Sequence, residues 1–176
     1  LTINSAESSP AMSVALNIRP EIDHPATGID RQAKVVRTLR GCLADTYILM
    51  AKTQAYHWNV VGPLFHSVHE LTEQQYGDLF QAVDDLAERI RALGELAPTS
   101  LQGMLNGTVL CEDSGNPTTR DMLTNLVRDH EIVVRRLRDS VDLADEAKDV
   151  ATADLLTQRL AFHEKAVWML RAISAG

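Results

Sequence analysis

The chain is short of several features that would point to other architectures. It holds two cysteines, Cys42 and Cys111, among 176 residues. That is too few for a disulfide-stapled scaffold, and their wide separation reads as two reduced thiols in a cytoplasmic protein. There are six prolines, and Pro10, Pro20 and Pro25 fall before the first periodic segment. Aromatic residues make up only 5% of the chain, which also suits a helical protein. Lysine is confined to Lys34, Lys52, Lys148 and Lys165, and the net charge is −7. Such a balance argues against binding nucleic acid through overall charge. No run of about eighteen apolar residues occurs, so no membrane span is expected. The first thirty residues lack a basic start followed by an apolar block, so no secretory signal is expected there. Neither a strand-like alternation nor an internal repeat is found.

Apolar residues make up 45% of the chain, enough for one domain with a real core. Residues 1–29, broken by the three prolines and Gly28, read as a flexible N-terminal tail, and 30–176 as the folded domain. Asp30 is placed to cap a first helix over about 30–60, with Val35, Leu39, Leu43, Tyr47 and Met50 on its apolar side. Gly62 and Pro63 mark a turn, with Pro63 at the first position of a second helix over about 63–93, closed by Gly94. In that helix Leu64, Val68, Leu71, Leu79, Val83, Leu86, Ile90 and Leu93 recur at three and four, a strong amphipathic stripe. A long connection over 95–116 has a short helix near Ser100–Leu105. A third long helix, started by Asn116, Thr118 and Thr119, covers about 117–147, and a fourth about 150–173. Four long helices with one long middle crossover carrying a short helix describe an all-α, ferritin-like four-helix bundle.

The second helix carries the chemistry. His69 and Glu73, and again Asp84 and Glu88, are i,i+4 pairs, and eleven residues (about three turns) put both pairs on one stripe. Those eleven residues also span roughly 16 Å. A metal–ligand bond is about 2 Å, so no single ion reaches both pairs. The pairs are symmetric about a point between Asp78 and Leu79. A second, antiparallel copy of the helix would set Glu73 opposite Asp84 and His69 opposite Glu88. The ligand stripe lies roughly 140° from the apolar stripe, so these groups point away from their own bundle core. Ligands of ferritin-type di-iron sites point inward from Glu-x-x-His motifs. Here the only such motif is Glu21 to His24, in the tail, so an intra-bundle di-iron site is not expected. Phe80 and Gly77 also lie on or near the ligand stripe, and close approach of a second helix accounts for both. On spacing alone two readings stand: a solvated charged face, or two metal half-sites at a homodimer interface.

The block His57-Trp58-Asn59-Val60-Val61-Gly62, then Phe65, Val68-His69-Glu70 and Asp84-Asp85-Leu86-Ala87-Glu88-Arg89, strongly resembles the Dps (DNA protection during starvation) family of miniferritins. The resemblance continues through Leu126–Glu131 and His163–Leu170 and covers about residues 30–173. It implies a dodecameric shell of ferritin-like bundles, a ferroxidase that oxidises Fe(II) at sites between two-fold-related subunits and stores ferric mineral. Carried over by position, His57, His69 and Glu73 come from one subunit and Asp84 and Glu88 from its partner. Glu73 departs from the Asp more usual there, moving the carboxylate one methylene outward. The iron is non-haem, and carboxylates with imidazoles suit Fe(II) and stabilise Fe(III). Hydrogen peroxide, or else oxygen, is the implied oxidant, and zinc can occupy the same ligands. Trp58 is, by the same resemblance, a candidate radical-quenching residue, against the alternative of a packed interface aromatic.

Other residues are read more plainly. His66 shares the ligand stripe but is taken as a surface or interface histidine, because the family motif does not require it. His130 and His163 are expected to be satisfied packing histidines. An ion pair between Lys52 and a ligand carboxylate is left open. Asp145 and Asp154 match positions that line acidic three-fold pores in some family members, with Asp142, Glu146 and Asp149 adding local charge; the alternative is a solvated helix junction. Family members that coat DNA use lysine-rich tails. Residues 1–30 here hold Arg19, no lysine and the acids Glu7, Glu21, Asp23 and Asp30. Weak or absent DNA binding is expected, which disfavours the alternative of a nucleoid-compacting DNA-binding protein.

Overall fold

A computed structural model describes residues 26–113 and 115–175. Most of the tail expected over 1–29, including Glu21 and His24, lies outside the described residues. The rest forms five helices: α1 (Gln32–Asn59), α2 (Phe65–Ala92), α3 (Leu101–Gly107), α4 (Thr119–Glu146) and α5 (Val150–Ser174). No strand occurs among the described residues. α1 packs along α2, α4 along α5 and α1 on α4, with the short α3 of the crossover resting on α1. α2 meets α5 only along a short stretch. The core is a zip of aliphatics from all four long helices, with Leu39, Leu49, Leu79, Leu86, Ile90, Leu126, Leu156 and Leu170 fully buried. Each recurs at helical spacing, which turns one face of each helix inward.

Helix ends show which local signals the chain uses. Thr118 and Asp121 close a capping box on α4: the Thr118 hydroxyl accepts from the Asp121 backbone N–H at 3.2 Å, and Asp121 accepts from that of Thr118 at 3.0 Å. Asp149 caps α5, accepting from the Thr152 N–H at 3.0 Å. The expected Asp30 cap does not form. Arg31 occupies that position in the left-handed region (φ 53°) with no side-chain cap. Asp30 is drawn away by Lys148, 2.7 Å distant at the α4–α5 junction. Pro63 lies in the turn rather than in α2, which starts two residues later. Gly62, at φ +93°, supplies the left-handed conformation of that turn.

Two buried ion clusters hold the crossover against α1 and α4. The Asp45 carboxylate, fully buried, accepts from Arg136 and the Thr108 hydroxyl, both at 2.7 Å, and from the Val109 N–H at 2.8 Å. Gly41 leaves room beside it: a Cβ there would sit 2.5 Å from the Arg136 guanidinium, which would have to shift. The second cluster centres on Lys52, which donates to Asp129 at 2.5 Å and to the Cys111 carbonyl at 2.7 Å, with Asp113 at 3.0 Å. Cys42 is buried and Cys111 exposed, both as free thiols, and burial pushes the Cys42 thiol up to about 11. No helix among the described residues is long and apolar enough to cross a membrane.

Candidate metal centre

The tight turn between α1 and α2 brings His57, in the last turn of α1, against His69 in the second turn of α2. Their rings stack at 3.8 Å between centroids with planes 17° apart. Each imidazole also bonds to the other's backbone: His57 Nδ1 to the His69 carbonyl at 3.0 Å, and His69 Nδ1 to the His57 carbonyl at 2.9 Å. A carbonyl only accepts, so both rings carry their proton on Nδ1, and both Nε2 atoms are left as bare acceptors. That is the outer-shell arrangement that fixes tautomer and ring direction in metal-binding histidines. The Thr72 hydroxyl donates to the His69 carbonyl at 3.1 Å, tying the same oxygen to α2. Phe65 stacks on His69 at 5.0 Å, and Tyr76 meets His57 edge-on at 5.2 Å. His57 is buried and His69 half-buried.

Stacking also limits what the pair can bind. An imidazole binds a metal in its own ring plane. Two nearly parallel planes one ring-thickness apart do not converge, so one ion cannot sit in both. The two histidines therefore suit two neighbouring ions, as in centres with metals about 3.5–4 Å apart.

The carboxylates are elsewhere. Glu73, Asp84 and Glu88 are all exposed on the outer face of α2. Among the described residues, no group of three or more His, Cys, Asp or Glu side chains lies close enough to hold a metal ion. One chain thus brings His57 and His69 together and leaves the acids spread along the helix. The same face exposes Phe80 (67%) and, near the α1–α2 turn, Trp58 (66%) and Phe65 (45%). A Cβ at Gly77 would meet nothing within 4 Å. Its own chain therefore has no need of a glycine at a position where one costs about 1 kcal/mol relative to Ala.

Several sequence expectations change. Lys52 pairs with Asp129 and Asp113, not with any ligand candidate. Tyr56 donates to Asp113 and accepts from Asn125 at 3.1 Å. Burial, with the Asp113 bond, pushes the Tyr56 phenol up to about 12. Burial acts to raise Asp113 too, but its bonds to Tyr56, Lys52 and Arg128 hold it below the usual carboxylate range. Nothing in the spacing of Lys52, Tyr56, Asp113 and Asp129 marked this cluster, which needs the crossover folded over α1. At the α4–α5 junction Asp145 and Asp154 are exposed, as are Asp142 and Glu146. Asp149 is not part of that surface: it is buried, caps α5 and pairs with Arg89 at 2.7 Å. His66 is exposed. His130 and His163 are fully buried and bond to each other, Nδ1 to Nδ1, at 2.8 Å, and the Nε2 of each meets no protein partner among the described residues.

This architecture, four long helices with a helical crossover, is the ferritin-like class, and the ferritin-like domain family matches residues 37–175. A DNA protection during starvation protein of Brevibacillus brevis is 36% identical over 141 residues, covering 80% of this chain and 95% of that one. A low-temperature-induced protein of Nostoc is 44% identical over 159 residues, covering 89% and 88%. Among solved structures, a Dps protein from Vibrio cholerae, described as a member of the ferritin-like diiron-carboxylate superfamily, superposes with a TM-score of 0.76. It shares 33% identity over 80% of this chain and 89% of that one. The chain belongs to the Dps family of ferritin-like proteins.

Proposed function

We propose that the protein is an iron-sequestering ferroxidase whose sites form between two copies of the chain. His57, His69 and Glu73 of one subunit face Asp84 and Glu88 of the partner subunit across a two-fold near Asp78–Leu79. The observation that carries this reading is the reciprocal His57–His69 bond, which leaves two bare Nε2 acceptors on a face with exposed carboxylates and aromatics. Fe(II) is the substrate. Each of two ions gives one electron, and together they cleave the O–O bond of one hydrogen peroxide to two hydroxides, so no hydroxyl radical is released. Oxygen is the second oxidant to be compared. The carboxylates balance the gain in positive charge as Fe(II) becomes Fe(III). The outward reach of Glu73 adjusts the second ion's position.

In this reading twelve subunits close a shell in the cytoplasm, ferric mineral collects inside, and the cell and its DNA are protected from iron-driven oxidation. Asp145 and Asp154 would concentrate Fe(II) at an entry pore, and Trp58 would intercept stray radicals. Zinc would compete for the same ligands.

Shared ownership of the site is directly testable. His57→Ala and Asp84→Ala chains should each be inactive alone. Refolded together, they form mixed two-fold pairs in which one site is doubly broken and the other intact, so random pairing restores about a quarter of wild-type sites. A co-assembled mixture no more active than either variant would eliminate the inter-subunit site.

A further inference from the structure

Three pairs of residues on α2 share one centre. His69 with Glu88, Glu73 with Asp84, and Gly77 with Phe80 each lie symmetrically about the point between Asp78 and Leu79. The first two pairs are ligand candidates, but the third has no metal chemistry at all. Phe80 is a large apolar side chain that its own chain leaves 67% exposed. Gly77 lies in mid-helix with open space around it, so it serves no need of its own chain either. Both fall within about 40° of Glu73 around the helix, on the face that carries Asp84. A two-fold at the shared centre makes use of both. At 1.5 Å per residue, each sits about 2 Å along the helix from that axis. Each Phe80 is then level with the partner's Gly77, and the two phenyl rings are about 4.5 Å apart along the helix direction. That spacing suits an offset aromatic pair, and helices packed about 8–10 Å apart need the room that two absent side chains leave.

A site shared between subunits needs such a device. Glu73, Asp84 and Glu88 are exposed acids, so two copies of this stripe repel one another until a cation arrives. Ligand bonds of about 2 Å tolerate little slip, and a slide of one helical turn moves a carboxylate by about 5 Å. The acids therefore cannot set the register on which they depend. Packing of aromatic rings needs no metal. We propose that the two Phe80 rings, seated in the space left by the two Gly77 residues, lock the antiparallel register of the α2 pair. The half-sites are thereby held opposite one another before iron binds. Phe80 carries no group that binds a metal, so it is a positioning residue, and its role rests on the two-fold site proposed above.

A crystal structure of the metal-free assembly tests this directly. Phe80 should lie within about 4.5 Å of the partner's Gly77, with the two Phe80 rings in contact. Phe80 turned to solvent, or seated against another part of the partner, would overturn the lock. In solution, Phe80→Ala should keep its helical content, because Phe80 is not part of the core. At concentrations where light scattering shows full-size assemblies, it should bind Zn(II) and oxidise Fe(II) about tenfold less well, the effect of a loosened site. Gly77→Phe alone crowds four rings at the axis and should fail to reach full size. The exchange variant Gly77→Phe with Phe80→Gly keeps one ring and one glycine per chain at the same distances from the axis, so it should regain most of the Zn(II) binding. An exchange variant as weak as Phe80→Ala, or unchanged Zn(II) binding in Phe80→Ala, would overturn the lock and leave the shared site standing. Failure of the mixed His57→Ala and Asp84→Ala assembly to regain activity would instead remove the site itself.

Discussion

His57 and His69 each hold the other's backbone, Nδ1 to carbonyl, at 3.0 and 2.9 Å across the α1–α2 turn. The acceptors are main-chain oxygens, so removing one ring leaves the other ring's bond in place. His69→Ala should therefore keep His57 in its Nδ1–H tautomer, visible in imidazole nitrogen NMR shifts. If, as proposed, the stacked rings serve separate ions, Zn(II) titration should fall from two ions per site to one. Loss of both ions would refute the two-ion assignment.

Gly77 separates the needs of the fold from those of the assembly. Open space around it means Gly77→Ala should leave an isolated chain intact, with helix propensity favouring the change by up to about 1 kcal/mol. A bulky Gly77→Leu should leave helical content unchanged by circular dichroism while lowering the mass in solution. A full-size assembly from Gly77→Leu would move the two-fold contact away from this face.

Lys52 is buried between Asp129 and Asp113. Lys52→Met strands a carboxylate that is 1% exposed, with only Arg128 left beside it at 2.9 Å. Denaturant unfolding should show a loss of about 2–4 kcal/mol, close to the cost of breaking a buried pair. Lys52→Met combined with Asp129→Leu should recover part of that loss.

The buried histidine pair sets an acid limit. Burial lowers His130 from the usual 6.5 to about 3 and takes His163 well below its usual value, with the neighbouring Arg159 adding to both. Between those limits the unfolded chain binds more protons than the folded one, so stability is full above about pH 6.5 and drops as pH falls toward 3. The slope should reach about 1.4 kcal/mol per pH unit for each ring. Replacing both histidines by leucine should flatten the decline between pH 6.5 and 4.5, above the range where most carboxylates titrate; an unchanged slope would place the acid sensitivity elsewhere.

With 17 Lys and Arg against 24 Asp and Glu, a net charge of −7, the protein repels phosphates overall, and non-specific binding needs a surplus of cations facing them. A gel shift at pH 7 and physiological salt should show no retained DNA. A tight, length-dependent complex would restore the nucleoid-compacting alternative.

The sequence by itself determined the helices, their order, the crossover and the separation of ligand stripe from core stripe. All of these rest on periodicity and local turn signals, which act over a few residues. It also marked His69, Glu73, Asp84 and Glu88 as ligand candidates, with His57 added through the family resemblance, and showed that no single ion could reach both pairs on the second helix. What only the tertiary structure decided needs groups far apart in the chain to meet. The stacked, mutually bonded imidazoles depend on the angle of the α1–α2 turn. Lys52 found Asp129 rather than a ligand because the crossover folds over α1, and Asp149 turned inward to Arg89. His130 and His163, read as packing residues, are buried as expected, but their bond to each other across α4 and α5 was not foreseen, because helical spacing reports which face is buried and not which polar atoms meet inside it.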